Sequence, residues 1–225
     1  MSKLPQVTLL FWIMKIAATT LGETAGDLLS MTLNIGYAIS SMVLIGMFLI
    51  TLVMQLISKK YHPLLYWTVI LSTSTAGTTM SDYMDRTLGL GYAKGTLILL
   101  TILAAIFVYW RSSAHSFSIQ DIRTFKGESL FWTAILFSNT LGTALGDFLA
   151  DNSGLGFAGG AFLIGALLAL TALTTLSTRI SKTLFFWIAC VLTRPFGATM
   201  GDVLTKSKEK GGLAFGTVSS SLILG

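Results

Sequence analysis

Trp12 to Asp27 reads WIMKIAATTLGETAGD, and the same frame returns three times. It is WTVILSTSTAGTTMSD from Trp67 to Asp82, WTAILFSNTLGTALGD from Trp132 to Asp147 and WIACVLTRPFGATMGD from Trp187 to Asp202. In each copy an aromatic residue precedes the tryptophan (Phe11, Tyr66, Phe131, Phe186) and the aspartate follows the tryptophan by 15 residues. A glycine stands five residues before each aspartate (Gly22, Gly77, Gly142, Gly197), and a small residue directly before it (Gly26, Ser81, Gly146, Gly201). Tyr37, Tyr92 and Phe157 follow the first three aspartates by ten residues; Phe215 is read as the fourth counterpart, three residues late. Similarity at fixed spacing is the mark of a repeat architecture. The copies are offset by 55, 65 and 55 residues, which divides the chain into halves of two copies each, 1–112 and 129–225, joined by a polar, charged linker at 113–128.

Composition says what medium these repeats suit. The chain has 225 residues, 53% hydrophobic and 11% charged, where a soluble domain carries roughly a quarter charged. Its mean hydropathy is +0.75. A transmembrane helix needs about 20 apolar residues. Ile35–Ile57, Gly89–Trp110 and Gly154–Leu176 are clean spans of that kind. Val7–Leu29, Leu64–Met84, Leu130–Ala150 and Thr183–Leu204 are apolar but carry the small and acidic residues of the motif, and Gly212–Gly225 is short for a span. The expected fold is all-α: a polytopic membrane protein of about eight helices, four helix pairs with the same orientation. The lone cysteine, Cys190, excludes an intrachain disulfide and reads as a small apolar packing residue.

The net charge of +5 does not point to nucleic acid, because the basic residues lie between apolar runs rather than in a patch. Lys3, Lys59, Lys60, Arg111, Arg123, Lys126, Arg179 and Lys182 mark one side; Arg86, Lys206, Lys208, Lys210 and Lys94 mark the other. Positive charge favours the cytoplasm, so the first side, with both termini, is expected inside. The aromatic pairs then lie at the inner interface. Fifteen helical residues rise about 22 Å, which carries the aspartates toward the outer side.

Steps of four residues stack on one helical face. The stripes read Thr19–Glu23–Asp27, Ser74–Thr78–Asp82, Asn139–Thr143–Asp147 and Arg194–Ala198–Asp202, extended at their ends by Ser30, Asp85, Asp151 and Lys206, with Asp85 and Asp151 placed at the outer mouth. Seven of the ten acidic residues fall in these segments. Intramembrane carboxylates are expensive and mark functional sites. Glu23, Asp27, Asp82, Asp147 and Asp202 are therefore read as ligands of a cation. Thr19, Ser74, Thr78, Asp85, Asn139, Thr143, Asp151 and Arg194 are read as lining the pathway or coupling it, Arg194 as an internal counter-charge. Carboxylates, hydroxyls and an amide are hard donors, which suit Mn, Mg or Ca. His62 and His115 lie near helix ends, so a histidine-rich zinc or copper site is not expected, and Met80, Met84 and Met200 read as packing residues. The bland reading uses the same residues. Gly22 with Gly26, Gly142 with Gly146, and Gly197 with Gly201 are GxxxG pairs that bring helices together, within one chain or in a homo-oligomer, and the aspartates serve as helix caps or as ion-pair partners of Arg194, Lys15 or Arg86. No G-x-S-x-G, H-E-x-x-H or P-loop occurs, and four equivalent aspartates suit a pathway better than an aspartyl enzyme, so no catalytic residue is assigned.

KIAATTLGETAGD from Lys15 to Asp27, TLGTALGD from Thr140 to Asp147 and RPFGATMGD from Arg194 to Asp202 resemble a bacterial inner-membrane family defined by a repeat of unknown function. Some of its members are labelled membrane-anchored regulators of amylopullulanase. The resemblance covers essentially the whole chain and implies a multi-span protein of the bacterial inner membrane. Glu23 with Gly26 and Asp27 is also similar to the E-x-G-D helix motif of a manganese and calcium exporter family, with one more residue between the glutamate and the glycine. That likeness implies manganese as cargo. The expected function is a secondary exporter of a divalent metal cation. Its partners are then the lipid bilayer, the inorganic cation and protons, with no cofactor beyond a bound cation. A non-transporting membrane scaffold and a carrier of organic cations, caged by Tyr37, Tyr83, Tyr92 and Phe157, are the alternatives.

Overall fold

The computed structural model describes residues 5–113, 122, 124–177, 181–208 and 211–225, and contains no strand among them. Eight α-helices follow in order: α1 Leu9–Asp27, α2 Tyr37–Ile57, α3 Pro63–Asp82, α4 Tyr92–Ser113, α5 Phe125–Asp147, α6 Gly156–Ser177, α7 Lys182–Thr205 and α8 Thr217–Leu224. Lys3, His115, Arg123, Arg179 and Lys210, used in the sequence reading, lie outside the described residues.

Local chemistry sets the helix starts. The side chains of Thr8, Thr124 and Ser181 accept from the backbone N–H of Phe11, Gly127 and Leu184 as N-caps of α1, α5 and α7. Pro63 opens α3, where its fixed φ and missing N–H cost nothing. The second helix of each copy begins at a glycine with left-handed φ: Gly36 (84°), Gly91 (72°), Gly156 (67°) and Gly216 (74°). These glycines align the copies and correct one expectation. Thr217, the residue after Gly216, occupies the place of Tyr37, and Phe215 does not. A π-helical turn follows the first three motif helices, at Leu28–Thr32, Tyr83–Thr87 and Phe148–Asn152, closed by bonds from Leu33, Leu88 and Ser153 N–H to the carbonyls of Leu28, Tyr83 and Phe148. The fourth copy has none: α7 runs on to Thr205, and the loop after it returns Leu213 and Phe215 N–H to the carbonyls of Val203 and Leu204.

The four motif helices, α1, α3, α5 and α7, form a closed ring in which each packs on two others. Each outer helix packs mainly on the motif helix of the next copy: α2 on α3, α4 on α5, α6 on α7, and α8 back on α1. The ring closes through glycine. A Cβ on Gly22 would overlap Ser74, one on Gly77 would press on Asn139, one on Gly142 would overlap Arg194 and one on Gly197 would overlap Thr19. One turn further on, Gly26 meets Thr78, Gly146 meets Ala198 and Gly201 meets Glu23. Residue numbers rise together across every contact, so the four helices are parallel. The GxxxG faces are thus occupied within the chain.

At the tryptophan end an aromatic collar closes the ring. Phe11 meets Trp67 at 5.7 Å, Tyr66 meets Trp132 at 5.6 Å, Phe131 meets Trp187 at 5.8 Å and Phe186 meets Trp12 at 5.7 Å. Each copy's aromatic residue rests on the tryptophan of a neighbouring copy, in tilted geometries typical of such pairs.

Polarity is inverted relative to a soluble bundle. The ring interior holds Thr19, Ser74, Thr78, Asn139, Thr143 and Arg194, all buried, while Ile50, Val108, Phe162 and Leu173 on the outer helices are exposed. Among the described residues four helices are long and apolar enough to cross a membrane: α2, α4, α6 over Gly156–Thr174, and α7. Helices α1, α3 and α5 have 19, 20 and 23 residues but are rich in Thr, Ser and Gly. Their hydroxyls bond back to their own helix, as Thr19 and Thr20 do to the carbonyl of Ile16, which lets polar helices pack without water. Helix α8 has 8 residues, about 12 Å of helix.

Candidate functional site

The centre of the ring is an ion pair. Arg194, 0% exposed, lies on α7 and reaches every other motif helix. Its Nη1 donates to the carbonyl of Thr19 on α1 at 3.1 Å, and its Nη2 to the carbonyl of Ser74 on α3 at 3.2 Å. Nη2 also reaches the hydroxyls of Thr78 on α3 and Thr143 on α5, and stands 3.0 Å from Glu23 Oε2. Thr78 and Thr143 donate to that same oxygen, each at 3.1 Å. A guanidinium presents several donors in a fixed fork, and here three helices supply the acceptors. Pro195 follows directly; lacking an N–H, it frees the carbonyl of Val191 within α7.

The four aspartates form the next layer, bridged in two pairs. Arg86 Nε lies 3.0 Å from Asp82 Oδ1 and its Nη2 donates to Asp147 Oδ2 at 3.2 Å. Lys206 Nζ donates to Asp27 Oδ2 at 2.8 Å and stands 3.1 Å from Asp202 Oδ1. Each cation sits four residues after its own aspartate and reaches the aspartate of the next copy around the ring. Copies one and three carry Met31 and Asp151 at that position. The two ionic bridges therefore repeat with the period of the halves, while the backbone repeats with the period of the copies.

The structure divides the five expected ligands. Glu23, Asp27 and Asp202 each offer an oxygen within 4.8 Å of the others, all three residues buried. Asp82 and Asp147 lie on the Arg86 side. Of the lining residues, Thr78 and Thr143 face the central pair. Asn139 Nδ2 donates sideways to Thr73 Oγ1 at 2.9 Å, Thr19 Oγ1 to the carbonyl of Thr193 at 3.3 Å, and Ser74 Oγ is buried without a partner. Asp85 is not at the mouth. Its carboxylate is buried against Gly95 near the start of α4, taking a bond from Ser81 Oγ at 3.4 Å, because three residues past Asp82 turns it off the ring. Asp151 is exposed at the aspartate end. The aromatic cage expected for an organic cation is filled from within. Arg86 lies 5.7 Å from the centres of both Tyr37 and Tyr92, and its Nη1 donates to Tyr37 OH at 3.0 Å. Met200 lines an apolar groove with Phe196 and Val203 on the α6 side, away from the carboxylates.

The sequence reading counted Arg86 and Lys206 among the charges that set topology, weighed Arg86 as an ion-pair partner of the aspartates, and put Lys206 at the end of the fourth stripe without pairing it. The spacing of four from an aspartate, on a helical face, was the signal that could have paired Lys206 as well. The aspartates act as ion-pair partners of these two side chains. None of the caps described for α2 and α8 is an aspartate.

A fourfold helical repeat with an ionic core is the class that this geometry defines. The chain matches the family model described as Repeat of Unknown Function (DUF347) at residues 10–61, 65–116, 130–181 and 185–225, and it belongs to that family. The first matched segment covers α1 and α2, and the second covers α3 and α4, so the family's unit is one motif helix with the outer helix that follows it. No curated protein and no solved structure matches the chain significantly.

Proposed function

We propose that the protein is a polytopic membrane transporter that exports a divalent metal cation, manganese foremost, through the core of its four-helix ring. The observation that carries this reading is the buried triad of Glu23, Asp27 and Asp202, whose oxygens lie within 4.8 Å of one another. Oxygens on opposite sides of one hard cation stand about 4–5 Å apart, and hard oxygen donors suit Mn, Mg and Ca. The inverted polarity supports a bilayer setting. Apolar side chains on α2, α4 and α6 meet lipid, and the Thr hydroxyls, Glu23 and Arg194 of the ring bond to one another or to helix carbonyls, as a bilayer demands of polar groups. The resemblance of the motif supports the bacterial inner membrane, and the distribution of Lys and Arg supports a cytoplasmic N-terminus and aromatic collar with the aspartates toward the outside; the end of the short α8, Gly225, lies beside Leu21 on α1 rather than at the collar. In this reading the collar is the inner closure, and Arg194 is the counter-charge that holds Glu23 between passages of the ion. Proton coupling belongs to the same proposal, since carboxylates that release a metal can take up protons.

A second reading has its own observation. Arg194, Arg86 and Lys206 pair with all five carboxylates, which is what a non-transporting scaffold held by ion pairs needs. Thermal unfolding of the purified protein with Mn, Mg, Ca, Zn, Na and a quaternary amine separates the two. The transport reading expects selective stabilisation by one divalent ion, lost in Asp27→Asn, and no response to the amine. A flat response, with every aspartate variant simply less stable, is the scaffold result.

A further inference from the structure

The two ionic bridges match in position and differ in how they are held. Arg86, although its side chain is 29% exposed, is held at several points: by Asp82, by Asp147, by the hydroxyl of Tyr37, and against the rings of Tyr37 and Tyr92. It stands inside the helical turn Tyr83–Thr87, whose backbone continues from α3. Among the described residues the Lys206 ammonium has Asp27 at 2.8 Å, Asp202 at 3.1 Å and a weak contact to Met31 Sδ at 4.0 Å. It is the first residue past α7, in extended conformation, and its side chain is 21% exposed. An ammonium on four methylenes is a flexible point charge, whereas a guanidinium is a planar fork. The acids differ as well. The Lys206 side holds the third carboxylate, Glu23, close to Asp27 and Asp202.

Resting on the metal-transport reading, we propose that Lys206 is a tethered cation seated where the substrate ion binds, displaced by a divalent ion and so selecting for valence. Its ammonium bridges two of the three oxygens that define the triad. An ion that reaches the triad must take these oxygens, and Lys206, partly exposed at the aspartate end, swings out toward water. A monovalent ion would replace one positive charge by another with no electrostatic gain and would lose the short bonds already made. A divalent ion replaces one charge by two among three carboxylates. The tether therefore works against Na and K and yields to Mn, Mg or Ca. Arg86, clamped by two tyrosines, keeps α3 and α5 joined while α1 and α7 exchange their cation.

The test uses the full chain in detergent with Mn(II) and Na as probes. Lys206→Met should bind Mn(II) about tenfold more tightly than wild type or better, because its built-in competitor is gone, and Na should now compete. Lys206→Arg, which keeps the charge and adds grip, should bind Mn(II) more weakly than wild type. Equal Mn(II) affinity and unchanged indifference to Na in Lys206→Met would overturn the proposal while leaving the transport reading in place. Absence of divalent binding in wild type and Lys206→Met alike would overturn both. Should Lys206→Met not fold, amine acetylation of the wild-type protein, read by mass spectrometry, decides the matter. Saturating Mn(II) should raise labelling of Lys206 relative to the exposed Lys59 and Lys60; labelling that stays the same would overturn the proposal.

Discussion

Replacing Arg194 by methionine removes a single guanidinium from the centre of the ring, and the cost can be worked from its contacts. The side chain is 0% exposed and its charge faces Glu23 Oε2 at 3.0 Å. The carbonyls of Thr19 and Ser74 lie within helices and keep their helical bonds, so losing Arg194 costs them little. Thr78 and Thr143 still donate to Glu23 at 3.1 Å. The main loss is a carboxylate left buried without its cation, and breaking such a pair from one side costs about 3–5 kcal/mol. For a chain of this size each kcal/mol moves the melting temperature by about 2–4 °C, so Arg194→Met should melt about 6–20 °C below wild type. Glu23→Gln strands the guanidinium and should lose a similar amount. The double variant strands neither charge, so it should recover about 2–3 kcal/mol relative to the sum of the singles. The assay is a double-mutant cycle of thermal unfolding for the four proteins in one detergent. Two results would refute the reasoning: Arg194→Met melting within about 2 °C of wild type, or single losses that simply add.

Other consequences follow from the same geometry. A Cβ on Gly142 would overlap the Arg194 side chain and press on the backbone nitrogen of Pro195, whereas one on Gly46 meets nothing within 4 Å. Gly142→Ala should therefore destabilise by about 1–3 kcal/mol, while Gly46→Ala, in the same melting assay, should be neutral or stabilise. Tyr37→Phe removes the hydroxyl that accepts from Arg86 and keeps the ring beneath it; a loss of about 1 kcal/mol is expected, read as a melting shift of about 2–4 °C. Ser221 Oγ and Thr24 Oγ1 lie 2.9 Å apart where α8 closes the circle on α1. The pair Thr24→Cys with Ser221→Cys should form an intrachain disulfide that shifts gel mobility reversibly with reductant; failure to cross-link would place α8 elsewhere.

Much of the fold was legible because it repeats. The tryptophan, glycine and aspartate frame, met four times, marked α1, α3, α5 and α7 and the layer in which each aspartate sits. The apolar runs between them marked α2, α4 and α6. The packing order was not legible. Helix α2 leans on α3 rather than on α1, a preference written in shape and not in period. The π-helical turns also went unread, because LLSMT, YMDRT and FLADN share no composition that distinguishes them from an ordinary last turn. At the site, the stripes at steps of four identified Glu23, Arg194, Thr78 and Thr143, which meet at the centre. They placed Asp85 at the mouth only by its nearness in sequence, and a residue three past Asp82 points toward Gly95 instead. Arg86 was readable as an ion-pair partner and Lys206 as the end of a stripe, but not as bridges between copies. Only the ring brings each within reach of a second aspartate 61 or 179 residues away.

The central claim is that a divalent cation crosses the membrane through the carboxylates of the ring. Mn(II) flux into proteoliposomes, with a quenched indicator trapped inside, tests it most directly in wild type and in an Asp27→Asn, Asp202→Asn variant shown to be folded by its melting curve. The account predicts wild-type flux that saturates with Mn(II), is indifferent to Na and is abolished in the variant. Flux equal to that of empty liposomes, or equal in wild type and variant, would contradict it and leave the ion pairs as the cement of a scaffold.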